Sequence, residues 1–326
     1  MKKRVWIAAV SVASVIALAG CGTAQPGNGT GAGKGTGNGT HGQTSASGSA
    51  VSFPLTVTDE AGHKVTIPKK PTHIASTTEG TDEILSGLVP KSEIALVTTD
   101  ATQPEYSNIV SFAKGIPAIG NVTAEQVIAV HPDLVLMASY NTPGVVNQIE
   151  QAGIPVYEFT NFNSIDDIEK NIKVLGTLVG EEGKADQLVS MMEQKIQAVQ
   201  NAVKGEPKPT VLDYSSYGFA GGSGTTVNDI ITDAGGTNAA ANLQGWAKVT
   251  DEEIVKMNPD VIIDSSDDAA FKQKLLHDPA LKTVNAIRNK QIYIIPGADL
   301  GSVSQYIYKA VEDVAKDLHP SANIPT

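Results

Sequence analysis

A segment of the chain occurs twice, and this internal match constrains the fold more than any other feature. Residues 122–136 (VTAEQVIAVHPDLVL) align without a gap to residues 249–263 (VTDEEIVKMNPDVII). In each copy a threonine precedes a helical pattern, and Gln126 or Glu253 stands three residues later, as in a capping box. A proline then ends the helix, and an apolar run typical of a buried strand follows. The same helix–turn–strand unit therefore appears twice, which predicts two related lobes.

Strand and helix patterns alternate along the rest of the folded body. The predicted strands are 74–77, 93–97, 133–137, 154–158, 210–213, 260–264 and 291–295. The predicted helices are 81–88, 123–130, 142–152, 164–179, 229–234, 250–257 and 302–318. Short apolar strands separated by helices indicate βαβ units, so we expect an α/β fold with mainly parallel sheets.

One long segment without proline lies between the two halves. Its apolar residues recur at helical spacing, and Pro207 and Pro209 follow it as a stop signal. We therefore predict one α-helix over 181–204, roughly 35 Å long, that joins the two lobes. The lobes themselves are predicted at 51–180 and 205–326.

The first fifty residues have a different character. Basic residues at 2–4 precede a short apolar run at 5–17, which is the layout of a secretory signal. The next four residues, LAGC, resemble the lipobox of bacterial lipoproteins, and this resemblance implies a signal peptide over 1–20 and a lipid on Cys21. The alternative is an ordinary signal with a chance cysteine. Cys21 is the only cysteine of the chain and cannot form an internal disulfide, so lipidation explains it better.

Residues 21–50 follow as a linker rich in glycine, serine, threonine and asparagine. Such a composition cannot bury a core, so we expect a flexible tether with a root-mean-square span of roughly 30 Å. The predicted location is the extracellular face of the cell membrane, held by the lipid. A net charge of −11 argues against a nucleic-acid partner, which requires a basic face.

Several short segments follow one another in the order found in a known family. They are 71–87, 131–136, 153–156, 175–180, 234–238 and 258–263. Together they resemble the ABC-transporter substrate-binding proteins for iron–siderophore complexes and vitamin B12. The resemblance implies two Rossmann-like lobes bridged by one long helix, limited hinge motion, a monomeric chain, and a binding role without catalytic residues.

Glu125 and Glu252 occupy equivalent positions in the two copies of the repeat. Each is the second residue of a predicted helix, where a negative charge is favourable by about 0.3–1 kcal/mol. That explanation suffices for either glutamate alone. The family resemblance implies a further role, because one glutamate on each lobe docks against arginines of the ABC permease dimer in that family. The matched pair favours docking.

Loops that follow the predicted strands supply the candidate ligand-binding residues. These are Thr78, Tyr140, Tyr217, Phe219, Trp246 and Asp299. Flat aromatic side chains suit a large ring or chelate. The loops contain no arginine and no lysine, which disfavours a triply charged catecholate complex and favours a neutral hydroxamate-type chelate or a corrinoid. We expect an iron(III)-siderophore-type chelate, with cobalamin or haem as the alternative, and no resident cofactor or metal.

Three rival classes fit the sequence less well. A metal-ion receptor needs clustered ligands, but the histidines are scattered over turns and helix ends. A hydrolase would need a nucleophile elbow, and the glycine-rich segment 221–225 fails that pattern at its last position. A sensory lipoprotein could bind the same chelate but has no need of both Glu125 and Glu252.

Overall fold

The computed structural model describes residues 51–141 and 143–325. The predicted signal peptide, the lipidation site at Cys21 and the linker to residue 50 lie outside the described residues. Within the described part, no helix is both long enough and apolar enough to cross a bilayer.

The first lobe is built on a parallel sheet of five strands in the order β5-β4-β3-β6-β7. An antiparallel hairpin, β1-β2, precedes it. The strands are β1 Leu55–Thr58, β2 Lys64–Ile67, β3 Ile74–Ser76, β4 Ile94–Thr98, β5 Ala118–Ile119, β6 Leu134–Ala138 and β7 Val156–Phe159. The helices are α1 Glu79–Leu88, α2 Val110–Ala113, α3 Ala124–Ala129, α4 Pro143–Gln151 and α5 Ile165–Val179.

One long helix, α6 (Glu182–Ala202), follows the first lobe. Gly180, in the left-handed conformation at φ 66°, ends α5 and turns the chain into it. Val189, Met192 and Val199 are buried along one face of α6 and belong to the main hydrophobic core. The predicted long connecting helix is therefore confirmed, and it starts one residue later and ends two residues earlier than expected.

The second lobe carries a parallel sheet of four strands in the order β10-β8-β12-β13, beside a small antiparallel pair, β9-β11. Its strands are β8 Thr210–Asp213, β9 Phe219–Gly221, β10 Thr237–Asn238, β11 Trp246–Lys248, β12 Val261–Ser265 and β13 Ile292–Ile295. Its helices are α7 Thr226–Asp233, α8 Asp251–Met257, α9 Phe271–His277, α10 Asn285–Arg288, α11 Gly297–Leu300 and α12 Tyr308–Leu318. The α/β fold of two parallel-sheet lobes is confirmed.

The two copies of the repeat adopt the same conformation. Helices α3 and α8 end before a residue with positive φ, His131 at 50° and Asn258 at 45°, and a proline and an aspartate follow. The aspartate then fastens the central strand of its own lobe. Asp133 accepts hydrogen bonds from the backbone of Thr72, and Asp260 accepts them from Thr210. The sequence repeat is therefore a structural repeat, with one copy in each sheet.

The capping boxes of the repeat differ between the copies. At α8 both hydrogen bonds of the box are present between Thr250 and Glu253. At α3 the Thr123 hydroxyl accepts a hydrogen bond from the Gln126 backbone. The side-chain oxygen of Gln126, however, accepts a hydrogen bond from that hydroxyl and none from the Thr123 backbone. The predicted box is therefore complete only in the second copy.

The helix predicted at 302–318 begins later than expected. The segment contains a 3₁₀ turn at Gln305–Ile307, and the regular helix α12 starts at Tyr308. Ser302 and Ser304 donate hydroxyl hydrogen bonds to a carboxylate oxygen of Glu83 in α1, at 2.8 and 2.5 Å. These contacts hold the segment against the first lobe, and the regular helix begins after it.

Candidate ligand-binding cleft

Three adjoining cavities lie where the strands of the two sheets end. The cavity of the second lobe has a volume of about 480 Å³, and that of the first lobe about 400 Å³. A narrow cavity of about 50 Å³ joins them. It shares Phe162 and Val303 with the second-lobe cavity, and it shares Thr78 and Tyr140 with the first-lobe cavity. Together they form one continuous interlobe cleft at the carboxyl ends of parallel strands, where ligands bind in open α/β folds.

A larger depression lies elsewhere, along α5, α6 and α7. Its volume is about 630 Å³, but it is a shallow surface groove lined mainly by Glu and Gln side chains, without an aromatic residue. Ligand pockets are concave and mostly apolar, with a few polar groups placed among aromatic side chains. The interlobe cleft contains such aromatic side chains, and the groove does not.

Exposed aromatic side chains are concentrated at the interlobe cleft. Tyr140 is 68% exposed, Tyr217 77% and Trp246 55%, and all three line its cavities together with Tyr106. Tyr140 also packs edge-on against Phe162 at 5.9 Å between ring centroids. Large apolar side chains left open on a soluble protein mark an interaction surface. Both lobes therefore present aromatic faces to the cleft.

The six predicted ligand-binding residues separate into two groups. Thr78, Tyr140, Tyr217 and Trp246 line the cleft. Phe219 and Asp299 do not line its cavities. Phe219 lies on β9 and pairs with Lys248 of β11, and the Asp299 carboxylate lies 4.0 Å from the ammonium of Lys309. Thr78 also has a structural role, because its hydroxyl caps α1 by accepting a hydrogen bond from the Thr81 backbone.

Sequence reasoning missed two buried aspartates of the second-lobe cavity, Asp213 and Asp264. Four of its lining residues are carboxylates, and none of its described lining residues is a lysine or an arginine. The four are Asp213, Asp264, Asp267 and Asp268. Two of them lie at the carboxyl end of a buried apolar strand, in the sequences Val-Leu-Asp213 and Ile-Ile-Asp264. An acidic residue at the end of such a strand was the signal that could have identified them.

Asp213 and Asp264 are the buried members of this group, with 7% and 1% of their surface exposed. Burial raises the pKa of Asp213 to about 7, although a hydrogen bond from the Gly221 backbone opposes the rise. Burial likewise raises the pKa of Asp264 to about 7, and the neighbouring charges of Asp268 and Asp213 add to the rise. Both carboxyls are therefore partly protonated near neutral pH.

The first lobe also contains buried acids, and these lie on α1. Asp82 accepts hydrogen bonds from the backbone and the hydroxyl of Thr98, at 2.9 and 2.6 Å. Burial raises its pKa to about 7 against those hydrogen bonds. Glu83 binds the serines at 302 and 304, and its pKa is also raised by burial. Neither carboxyl lines a cavity of the interlobe cleft.

Glu79 is the one acid of α1 that reaches the cleft, on the first-lobe side. Burial and the nearby charge of Glu83 raise its pKa to about 9, so this carboxyl is neutral at physiological pH. The remaining lining of that cavity is rich in hydroxyl and amide groups, among them Thr98, Asn121 and Asn141. The first-lobe side of the cleft is therefore polar but uncharged apart from the exposed Asp100.

Glu125 and Glu252 are both exposed, each in the first turn of its helix. Helix α3 follows Val122, which lines the first-lobe cavity, and α8 follows Trp246, which lines the second-lobe cavity. Neither carboxylate forms an ion pair with any described residue. The two glutamates therefore occupy equivalent, solvent-exposed positions at the starts of α3 and α8.

Comparison with known proteins agrees with this geometry. A family model described as "Periplasmic binding protein" matches residues 74–298. The uncharacterized ABC transporter substrate-binding lipoprotein YvrC of Bacillus subtilis is 29% identical over 331 residues, covering 98% of this chain and 98% of its own. A cobalamin-binding protein of Halobacterium salinarum is 27% identical over 220 residues, covering 66% of this chain and 59% of its own.

Among solved structures, molybdate-bound MolA of Haemophilus influenzae superimposes with a TM-score of 0.69 at 21% sequence identity. The match covers 82% of this chain and 91% of that one. At such identity the likeness establishes the fold and leaves the ligand open.

Proposed function

Since the chain belongs to the periplasmic binding protein family, whose members bind small molecules for ABC transporters, we propose that it captures a metal chelate of neutral or positive charge in the interlobe cleft and delivers it to an ABC importer. The first candidate is an iron(III)-siderophore-type chelate of the hydroxamate class. The role is binding and transfer, with no catalytic residue and no resident metal or cofactor.

The observation that carries this proposal is the composition of the cleft. Aromatic side chains from both lobes face it, with Tyr140 on one side and Tyr217 and Trp246 on the other. Aromatic side chains distributed along adjoining cavities of several hundred Å³ suit a ligand with extended, rigid surfaces. A bare metal ion has no use for such faces, and no cluster of three or more histidines, aspartates or glutamates in the described chain has the geometry to hold one.

The charge of the cleft selects among chelates. A tris-catecholate complex, a molybdate ion or the propionates of haem would bring negative charge beside Asp213 and Asp264 without a basic side chain to compensate it. Burying an unpaired charge is costly, and like charges raise that cost. Neutral and cationic chelates avoid this penalty, which supports a hydroxamate complex over haem.

A corrinoid is the second candidate. It is bulky, carries many neutral amide groups and lacks the negative charge that the cleft disfavours. The similarity to a cobalamin-binding protein over 66% of this chain supports it. Cobalamin and a ferric hydroxamate therefore form the pair of ligands that experiment must separate.

Membrane attachment through a lipid on Cys21 completes the proposal. Cys21 and the linker lie outside the described residues, so support comes from the lipobox-like sequence and from similarity to a protein named as a lipoprotein. A lipid with a tether of about thirty residues would keep the folded body close to a membrane-embedded permease and raise its effective concentration there.

Tryptophan fluorescence tests the ligand class directly. In the chain without residues 1–20, Trp246 is the only tryptophan, and it lines the second-lobe cavity. Titration with a ferric trihydroxamate or with cyanocobalamin should quench its emission at micromolar concentration or below. The Trp246→Phe variant, followed by thermal shift, controls for inner-filter effects. Failure of both ligands to quench the emission or to raise the melting temperature would contradict the proposal.

Permease docking is tested by removing both glutamate charges. The double variant Glu125→Gln and Glu252→Gln should abolish uptake of the labelled chelate by cells and leave its affinity for the isolated protein unchanged. The matched control is Glu150→Gln with Glu193→Gln, two exposed glutamates away from the cleft. Loss of ligand affinity in the first double variant, or equal loss of uptake in the control, would contradict the docking role.

A further inference from the structure

A carboxylate oxygen of Asp264 is buried at the cavity of the second lobe without a hydrogen-bond partner. Only 1% of the residue is exposed, and it lines that cavity. Its Oδ1 accepts a hydrogen bond from the Ser265 backbone at 2.9 Å. Its Oδ2 has no partner among the described residues. Buried polar atoms are nearly always hydrogen-bonded, so this oxygen is available to a donor that enters the cavity.

The surroundings of Asp264 increase its demand for a positive partner. Asp213 lies on the neighbouring strand β8, and Asp267 and Asp268 lie on the 3₁₀ turn that follows β12. On the other side β13 places apolar Ile294 beside Asp264. Charges of one sign gathered in a cavity with apolar walls attract a counter-charge from solution.

The observations favour an organic donor over a bare cation. The described residues include no group of three or more carboxylates and histidines arranged to hold a metal ion. Tyr217 and Trp246 line the same cavity, and aromatic faces attract an ammonium group through the cation–π interaction. Carboxylates and aromatic rings that line one cavity are the combination that a protonated amine favours.

We infer that Asp264, with Asp213 beside it, is the specificity-determining contact for a protonated amine on the bound chelate. This inference rests on the proposed function and deepens it: the ligand carries a positive charge, and acidic residues of the second lobe recognise that charge. The rest of the chelate then lies toward the narrow part of the cleft, against Phe162 and Tyr140.

Ligand binding is consequently linked to protons. The groups that face Asp264 are Asp213, Asp267 and Asp268, and none of them is basic. An ammonium group favours the ionised carboxylates, so its binding releases protons from carboxyls that titrate near neutrality. Affinity for a cationic chelate should therefore rise from pH 6 to pH 8, and affinity for its neutral counterpart should not.

The experiment compares two chelates that differ by one charge. Ferrioxamine B is a ferric trihydroxamate with a free terminal ammonium, and acetylation of that amine makes it neutral. We expect the wild-type protein, measured by isothermal titration at pH 8, to bind the cationic form about tenfold more tightly, which corresponds to roughly 1.4 kcal/mol. Asp264→Asn should bring the two affinities within about twofold of each other. Asp186→Asn, at an exposed site on α6, should retain the full preference.

The outcomes separate this inference from the proposed function. Equal affinity of the wild type for both forms, tighter binding of the acetylated form, or an unchanged preference in Asp264→Asn would overturn the inference alone. Binding of cyanocobalamin but of neither trihydroxamate would overturn it and leave the corrinoid candidate in place. Binding of none of these probes would overturn both. If Asp264→Asn fails to fold, the wild-type comparison and its pH dependence still decide.

Discussion

The two lobes use the same supersecondary frame but place different chemistry at the ends of their central strands. In the first lobe the strand ends carry Ser76 on β3 and, by the repeat alignment, Met137 on β6. The corresponding positions of the second lobe carry Asp213 on β8 and Asp264 on β12. The repeated helix–turn–strand unit therefore fixes the position of a residue in its lobe. The identity of that residue decides whether its side chain packs in the core, forms a hydrogen bond or lines the cavity.

Two buried acids of the first lobe, Asp82 and Glu83, lie one element later, on α1, and serve the fold. Asp82 fastens β4 through Thr98, and Glu83 fastens the segment that follows α11. The strand-end acids of the second lobe face the cavity instead. Asp82 and Glu83 thus hold the structure together in the first lobe, whereas Asp213 and Asp264 line the cavity in which we propose that the ligand binds.

The strongest test of this difference is Glu83→Ala. The change removes the acceptor for the hydroxyls of Ser302 and Ser304 and for the backbone of Asn108. Leaving several buried donors unsatisfied should lower the free energy of unfolding by about 3 kcal/mol. Urea unfolding measures the loss, with exposed Glu150→Ala as the control. A loss below that of the control would mean that the first-lobe acid has no structural role.

A smaller effect tests whether the repeat is energetically as well as geometrically equivalent. Asp133→Ala and Asp260→Ala each remove the hydrogen bonds that fasten the first sheet strand of a lobe. Each should lower the free energy of unfolding by about 2 kcal/mol at pH 7. Hydrogen bonds from Thr210 lower the pKa of Asp260, so its contribution is present above pH 4 and is lost as the pH falls through the folded-state pKa.

Unfolding at pH 7 and at pH 3 measures both variants. If the two variants lose unfolding free energies that differ by more than about 1 kcal/mol at pH 7, the two copies of the repeat do not contribute equally to stability. An Asp260→Ala loss that stays constant down to pH 3 would contradict the role assigned to its ionised carboxylate.

A further test concerns the second-lobe acid alone. Asp264 titrates near 4 when unfolded and at about 7 when folded, so between these values only the folded chain retains the proton. Its contribution to stability is therefore lost as the pH rises from about 4 to 7. Asp264→Asn should match the wild type at pH 4 and have the larger unfolding free energy at pH 8. A variant less stable than the wild type at pH 8 would mean that the carboxylate supports the fold.

Most of the frame was predictable because its signals are local. The period of α6, the caps of α3 and α8 and the proline–aspartate turns are each read within a few residues. Four of the six predicted ligand-binding residues line the cleft for a similar reason, since loops after parallel strands converge on one edge of a sheet.

What escaped prediction depends on contacts between distant parts of the chain. Asp213 and Asp264 become a pair only because β8 and β12 are neighbours in the sheet. The segment before α12 is hydrogen-bonded to Glu83, more than two hundred residues earlier. Phe162, which lines both the second-lobe cavity and the narrow cavity, carries no local sign of that position. Local sequence patterns determine the helices and strands, whereas the cleft forms only when these elements pack together.

Hydrogen exchange with and without bound ligand tests most directly the claim that one chelate is held between the two lobes. Ferrioxamine B is the first probe, and cyanocobalamin replaces it if it binds more tightly. We predict slower exchange in both the segment around Thr78 and Tyr140 and the segment from Tyr217 to Gly221, with no change along the exposed face of α6. Protection confined to one lobe, or centred on α6, would contradict the account.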